Sequence, residues 1–230
     1  MALRVGDIIT ISYVERCEGT VISTNIEQVA RDNDIYDENE DNCPIPICIG
    51  RDRFVDGFHD ELIGKEVGAK GIVLVPVEKA YGKRSNENVR SIDKKEFEED
   101  IKVGDYVYHL EYENGFVVDK VGKKFVVDFN DPLAGRDITY EYEIHELITD
   151  PAEQFSRMVT HLLSDEINTS FEDGNGIIYV DISNPNMASW HHMKKRFMLE
   201  IFIKIVALKS IEIREKYKEP LQAFDKDERD

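Results

Sequence analysis

At 230 residues the chain is long for one compact domain and suits two or three, and its 41% hydrophobic and 10% aromatic content excludes global disorder. The balance of 47 acidic against 29 basic residues leaves a net charge of −18, a surface that repels phosphate backbones. Nucleic acid is therefore a poor candidate partner, and basic or unfolded polypeptide segments are favoured at encounter.

The three cysteines, Cys17, Cys43 and Cys48, form neither an even set nor a CxxC pair, which fits thiols in a reducing compartment. The opening MALRVGD runs straight into strand-like sequence without an apolar leader core. The densest apolar run, Phe197 to Leu208, is too short to span a bilayer and contains Glu200 and Lys204. A soluble, cytoplasmic protein with no membrane partner is expected.

Along the chain, a Val-Gly step precedes a strand-like run three times: Val5-Gly6 before IITISYV, Val67-Gly68 before GIVLVPV and Val103-Gly104 before YVYHLEY. Glycine supplies the turn, and β-branched or aromatic residues then alternate as a half-buried strand requires. Further strands read at IPICI (45–49), GFVVDKV (115–121), FVVDF (125–129) and DITYEYEIHEL (137–147). One short helix interrupts them at 54–64, where Val55, Phe58 and Leu62 share a helical face and Gly64 supplies the stop. The expected class is α+β, an antiparallel sheet with a short covering helix. Residues 30–42 are acidic and nearly devoid of core formers. They read as a solvated loop, since a calcium loop of the EF-hand type would need a glycine at its sharp turn.

After Asp150-Pro151, Phe155, Val159, Leu162, Leu163 and Ile167 recur at helical spacing behind a proline near the helix start. A strand follows at 176–182, then a long helical segment from Ser189 to Lys218. Trp190, Met193, Phe197, Ile201, Ile205 and Leu208 form its stripe, but Met198, Leu199, Phe202, Ile203 and Val206 make it apolar nearly all round. Burying such a helix needs more surface than about 75 residues readily supply, so a helix-rich α/β C-terminal domain that homodimerises through residues 151–220 is expected. The tail AFDKDERD reads as disordered.

Residues 45–84 carry a set of ordered motifs: Gly50, Val55-Asp56-Gly57-Phe58, the Gly64-to-Gly68 turn, and Ala80-Tyr81-Gly82. This stretch resembles the core of FKBP-type peptidyl-prolyl isomerases. The opening 6–24 resembles that family's first hairpin, with Tyr13 at its tyrosine, and 138–147 its closing strand, with Tyr140 at a pocket aromatic. Between Gly82 and the closing strand, KVGDYVYHLEY through DFNDPLAGRD is similar to the insert-in-flap domain of chaperone-type members, and the C-terminal extension to that of long archaeal-type members. The resemblance implies an isomerase domain from residues 1–85 and 132–150, an insert-in-flap chaperone domain at 86–131, and a C-terminal domain at 151–230.

It also implies the site. Tyr13, Phe58 and Tyr81 would be catalytic, and Ile22, Ile45, Phe54, Val55 and Tyr140 would bind substrate. Phe58 would floor the hollow beneath the proline ring, Tyr81 would aim its hydroxyl at a substrate carbonyl, and Val55 would offer a backbone N–H. Ile22-Ser23 departs from the family's usual Phe-Asp and so removes an aromatic wall and a carboxylate. The inserted segment holds Phe97, Tyr106, Tyr108, Leu110, Tyr112, Phe116, Phe125, Phe129 and Leu133. That is more than a small domain buries on two faces, so an exposed apolar surface for extended clients is expected, with a fully packed small barrel as the alternative. No cofactor is implied, and the isolated pair His191-His192 on a helix is a poor metal site. Two functions compete: a prolyl isomerase assisting folding of polypeptide clients, and a dimeric holdase whose pocket is vestigial.

Overall fold

The computed structural model describes residues 1–216 apart from 39, 41, 98–99, 164–166 and 182–189, and gives Asp181 and residues 190–195 by their backbone only. Among the described residues the chain builds three sheets of five, four and three strands.

The five-stranded sheet is organised on β1 (Ile8–Cys17), which runs antiparallel to β9 (Ile138–Ile148) along its whole length. The other edge of β1 is shared. β3 (Ile45–Cys48) pairs with Ile8 to Ile11, and β2 (Thr20–Thr24) with Val14 to Cys17. β4 (Lys70–Val75) closes the far side of β9. The opening of β1 is buried at four successive positions, Ile8 to Ile11, because both faces are covered there. Ile9 and Ile11 pack toward Phe58 and Leu62, while Ile8 packs with Cys48 and Ile148 against the C-terminal unit.

A short helix, α1 (Glu27–Asp32), occupies the beginning of the segment read as a solvated loop. The covering helix, α2 (Asp56–Leu62), starts where Val55 is extended and stops before Gly64 at φ +83°, close to the sequence expectation. Val55, Phe58 and Leu62 are all buried, as their shared helical face requires. Gly57 allows the close approach of α2 to β4, since a Cβ there would lie 2.4 Å from Val75 Cγ1.

The four-stranded antiparallel sheet has the order β5 (Val89–Asp93), β8 (Lys124–Asp128), β7 (Glu113–Val121) and β6 (Tyr106–His109). Only one face is packed: Ile92, Ile101, Val107, Val117, Phe125 and Val127 form its core, with Phe97, Tyr112 and Phe129 against them. Tyr106, Tyr108, Leu110, Phe116 and Val118 point out. Leu133 instead packs on the first sheet's core.

The C-terminal unit corrects the sequence reading. Among the described residues it holds two helices, α3 (Pro151–Leu162) and α4 (Trp190–Lys204), with three strands, β10 (Asn168–Glu172), β11 (Asn175–Asp181) and β12 (Ser210–Lys216), so a helix-rich unit is not supported. The long helix expected to Lys218 ends at Lys204, and β12 runs parallel to β11 after the α4 crossover. The reason is a change of period: Ile211 and Ile213 alternate with Glu212 and Arg214, which suits a strand. Nor is α4 buried all round: Ile201 is buried, whereas Leu199, Phe202 and Ile203 are exposed. The C-terminal tail, Ser189 and the side chains of Trp190, His191, His192 and Met193 lie outside the described residues.

Candidate functional site

The aromatic residues singled out from sequence come from four elements and meet above the first sheet. Phe58 on α2 stacks on Tyr140 of β9, with ring centroids 4.2 Å apart and planes 14° apart. Both are essentially inaccessible, at 0% and 1% exposure. Phe54, just before α2, lies 5.2 Å from Phe58 and 6.1 Å from Tyr140. Tyr13 of β1 meets Phe54 edge to face at 4.9 Å, a favoured aromatic arrangement. The result is a closed floor, Phe58 and Tyr140, below a half-buried rim of Tyr13, Phe54 and Tyr81.

Tyr81 joins the set through a hydrogen bond rather than a ring contact. It follows a 3₁₀ turn at Val77–Lys79, and its hydroxyl donates to Glu15 Oε1 at 2.9 Å. The Tyr140 hydroxyl donates to the same oxygen at 2.7 Å. Burial pushes the ionisation of both phenols up, and the neighbouring Glu15 carboxylate pushes it further. Burial also raises the Tyr13 phenol, whose oxygen is 2.9 Å from Ser23 Oγ. All three hydroxyls therefore stay protonated well past neutral pH.

The remaining candidates belong to the same apolar cluster. Val55 ends the approach to α2, and its carbonyl accepts from the Phe58 and His59 N–H groups at 3.0 and 3.3 Å. Ile45 pairs with Ile11, two residues before Tyr13 on β1. Ile22 is the extra residue of a bulge in β2, where Glu15 pairs with Ser23 but Arg16 already pairs with Val21.

Three participants were not anticipated. Glu15 is one, a carboxylate at 6% exposure on the inward side of β1. Its signal was parity: Ile9, Ile11, Tyr13 and Cys17 share its side of the strand, so a glutamate there breaks the alternation. His59 is another; its Nδ1 accepts from the Gly50 N–H at 3.0 Å and its Nε2 lies 3.1 Å from the Asp52 carbonyl, fixing the turn before Phe54. Asp52 is the third. Its Oδ2 accepts from the Cys48 N–H at 3.0 Å and its Oδ1 from Lys204 Nζ at 3.0 Å. Through Lys204, helix α4 grips the loop that leads into Phe54 and Val55.

Two chain segments link the first sheet to the second, and Asn130 stitches them. Its amide exchanges hydrogen bonds with the Ser85 backbone, at 2.8 Å from the Ser85 N–H and 3.0 Å to the Ser85 carbonyl. Arg84 pairs with the buried Asp128 beside it. A concavity of about 370 Å³ opens at this junction, walled by Tyr106, Phe116, Val118, Arg84, Asn130 and Pro132. Among the described residues no group of three or more His, Cys, Asp and Glu side chains could hold a metal ion, and no helix is long and apolar enough to cross a membrane.

An antiparallel sheet capped by one short helix, with a cluster of aromatic rings packed between them, defines the class of protein. The family model for FKBP-type peptidyl-prolyl cis-trans isomerases matches residues 2–103. The chain is 31% identical over 153 residues to a short-type peptidyl-prolyl cis-trans isomerase of Methanocaldococcus jannaschii, covering 66% of this chain and 96% of that protein. It is 26% identical over 132 residues to a probable FKBP-type 16 kDa peptidyl-prolyl cis-trans isomerase of Pseudomonas fluorescens, covering 55% of this chain and 88% of the relative. A similar 26% over 133 residues relates it to the FKBP-type peptidyl-prolyl cis-trans isomerase SlyD of Vibrio cholerae, covering 55% and 66%. The chain belongs to the FKBP-type peptidyl-prolyl cis-trans isomerase family and is an enzyme of that class.

Proposed function

We propose that the hollow between α2 and the first sheet is where an X–Pro bond of an unfolded or partly folded polypeptide is turned, and that the second sheet holds the client beside it. The observation that carries this reading is the stack of Phe58 on Tyr140 below a half-buried aromatic rim. An X–Pro bond resists rotation by about 18–20 kcal/mol because resonance separates charge between the carbonyl oxygen and the nitrogen. A dry aromatic hollow disfavours that planar, charge-separated form more than the twisted transition state. Phe58, sealed against Tyr140, forms the base of the site, and the half-buried Tyr13, Phe54 and Tyr81 form the rim that would receive the proline ring, with Tyr140, Val55, Ile22 and Ile45 behind them.

The outward face of the second sheet supports the holding role: Tyr106, Tyr108 and Leu110 are exposed at 75%, 63% and 92%. In this reading residues 1–85 and 132–150 form the isomerase domain, 86–131 an insert-in-flap chaperone domain and 151–230 a C-terminal domain. Tethering raises the client's effective concentration at the hollow, so weak affinity there is sufficient. Exposed Leu199, Phe202 and Ile203 on α4 support a homodimer through the C-terminal unit. The net charge of −18 speaks against nucleic acid, and the absence of a disulfide among Cys17, Cys43 and Cys48 suits a cytoplasmic setting.

Refolding of a proline-limited client is the test. The full chain should accelerate it, and Tyr81→Ala should reduce the acceleration several-fold while leaving the protein folded. Deleting residues 86–131 should abolish protection of an aggregating client and spare turnover of a short proline peptide. Full acceleration by the Tyr81→Ala protein would falsify the site assignment. Loss of protection with no turnover of any peptide by the full chain would favour a holdase with a vestigial pocket.

A further inference from the structure

The hollow contains a carboxylate that the reading above does not use. Glu15 is 6% exposed, and no Lys, Arg or His forms an ion pair with it among the described residues. A buried carboxylate without a cation costs folding free energy, and an apolar side chain of similar size would avoid that cost. Stability therefore gives a poor reason for its presence. Its two side-chain partners give a better one. Both are phenols of the hollow, Tyr81 and Tyr140, and both donate to the single oxygen Oε1 at 2.9 and 2.7 Å.

The two phenols differ in how else they are held. Tyr140 stands on β9 directly opposite Glu15 and is locked under Phe58 by stacking. Tyr81 stands on the connection after a 3₁₀ turn and is half-buried, so the Glu15 bond is its polar anchor to the sheet. Tyr13 lies outside this fork, because its hydroxyl is engaged with Ser23. Ser23 pairs with Glu15 across β1 and β2. The strand pair thus carries a hydroxyl at residue 23, where the sequence had suggested a missing carboxylate, and carries its carboxylate on the neighbouring strand.

We infer that Glu15 is a positioning residue of the isomerase hollow: its carboxylate draws the hydroxyls of Tyr81 and Tyr140 to one point and so sets the distance between the loop-borne and the strand-borne aromatic wall. Hydrogen bonds to an ionised acceptor are shorter and stronger than neutral ones, which suits a clamp on a loop residue. Without it, Tyr81 keeps its chemistry but loses its fixed rotamer, and the rim opens to water. This role rests on the isomerase reading of the hollow, and its direct consequence is that Glu15 acts through Tyr81.

The test compares the full-length wild type with Glu15→Gln, Tyr81→Phe and the double variant, using a proline tetrapeptide and circular dichroism to verify folding. Glu15→Gln should lower kcat/KM about tenfold, the scale expected when a charge-assisted hydrogen bond becomes a neutral one. In the Tyr81→Phe background the same change should have little further effect. Ultraviolet titration supplies a second readout: removing the charge should move the ionisation of the buried tyrosines to lower pH in Glu15→Gln. A folded Glu15→Gln protein with wild-type kcat/KM overturns the inference, and so do losses that simply multiply in the double variant, which would mark Glu15 as acting independently of Tyr81. An inactive wild type overturns the isomerase reading itself, and the positioning role with it; an active wild type matched by Glu15→Gln overturns the positioning role alone.

Discussion

The first and second sheets draw on the same kind of side chain and put it to opposite use. In the first, Phe58 and Tyr140 are sealed and stacked at 4.2 Å beneath a helix. In the second, Tyr106 and Phe116 also touch, at 5.1 Å, but on a face that no helix covers among the described residues, and Tyr106 stays 75% exposed. In the proposed reading, covering a face turns aromatic rings into a site of fixed shape that discriminates a ring-shaped guest, and leaving a face bare makes a broad adhesive surface that selects for little beyond apolarity. Their polar anchoring differs as well. The aromatic cluster of the first sheet is tied by the Glu15 fork, by His59 and by Lys204 from the C-terminal unit, whereas the Arg84–Asp128 pair and the Asn130–Ser85 bonds anchor the second sheet at its junction with the first.

The sharpest way to break this contrast is Phe58→Ala. Removing a fully buried ring that floors the hollow should cost about 3–5 kcal/mol, read as an earlier denaturant midpoint, and should abolish peptide turnover. A loss below about 1 kcal/mol would show that the floor is not packed as described. Next comes Lys204→Met. Its side chain is 2% exposed and bonds Asp52 and Glu200 at 3.0 Å each, so its removal leaves the largely buried Asp52 without its cation, while Glu200 keeps Arg53 at 3.2 Å. A cost of about 3 kcal/mol is expected, and partial recovery in Lys204→Met with Asp52→Asn would tie the effect to the loop before Phe54.

A smaller effect concerns pH. The Tyr140 phenol ionises above its ordinary range because of burial and then Glu15, so its contribution to stability is complete below about pH 10. Above that pH the unfolded chain releases the proton and the folded chain retains it, and stability falls as pH rises. Chemical denaturation between pH 9 and 11 should show a shallower fall in Tyr140→Phe, by at most about 1.4 kcal/mol per pH unit. Equal slopes would remove the buried, protonated phenol from the account. The smallest change in stability belongs to the outer face. Serine at Tyr106, Tyr108 and Leu110 together should shift stability by no more than about 0.5 kcal/mol per site, and peptide turnover should be unchanged. Protection of an aggregating client should nonetheless be lost; retained protection would place the holding surface elsewhere.

Much of the first sheet was legible because its signals are local. Val-Gly turns, period-two strands and the shared face of Val55, Phe58 and Leu62 each act within a few residues, and the observed β1, β4, β9 and α2 lie close to where those patterns put them. The short elements α1, β5 and β10 carry too few apolar residues to show a period, and they were not read. The segment after Ser189 was misread for a related reason. Its run from Phe197 to Leu208 is apolar apart from Glu200 and Lys204, and the change from helical to strand period falls between Lys204 and Ser210, where no proline marks it.

By itself the amino-acid order determined which residues are aromatic, which strands alternate and which turns bend, and the resemblance of its ordered motifs to the isomerase family nominated Tyr13, Phe54, Phe58, Tyr81 and Tyr140 as neighbours. Tertiary structure alone decided what stands between them. Glu15 meets Tyr140 across paired strands 125 residues apart, and Lys204 reaches Asp52 over 152. Contacts that distant depend on strand pairing and on which face is covered, and neither leaves a periodic trace in the chain.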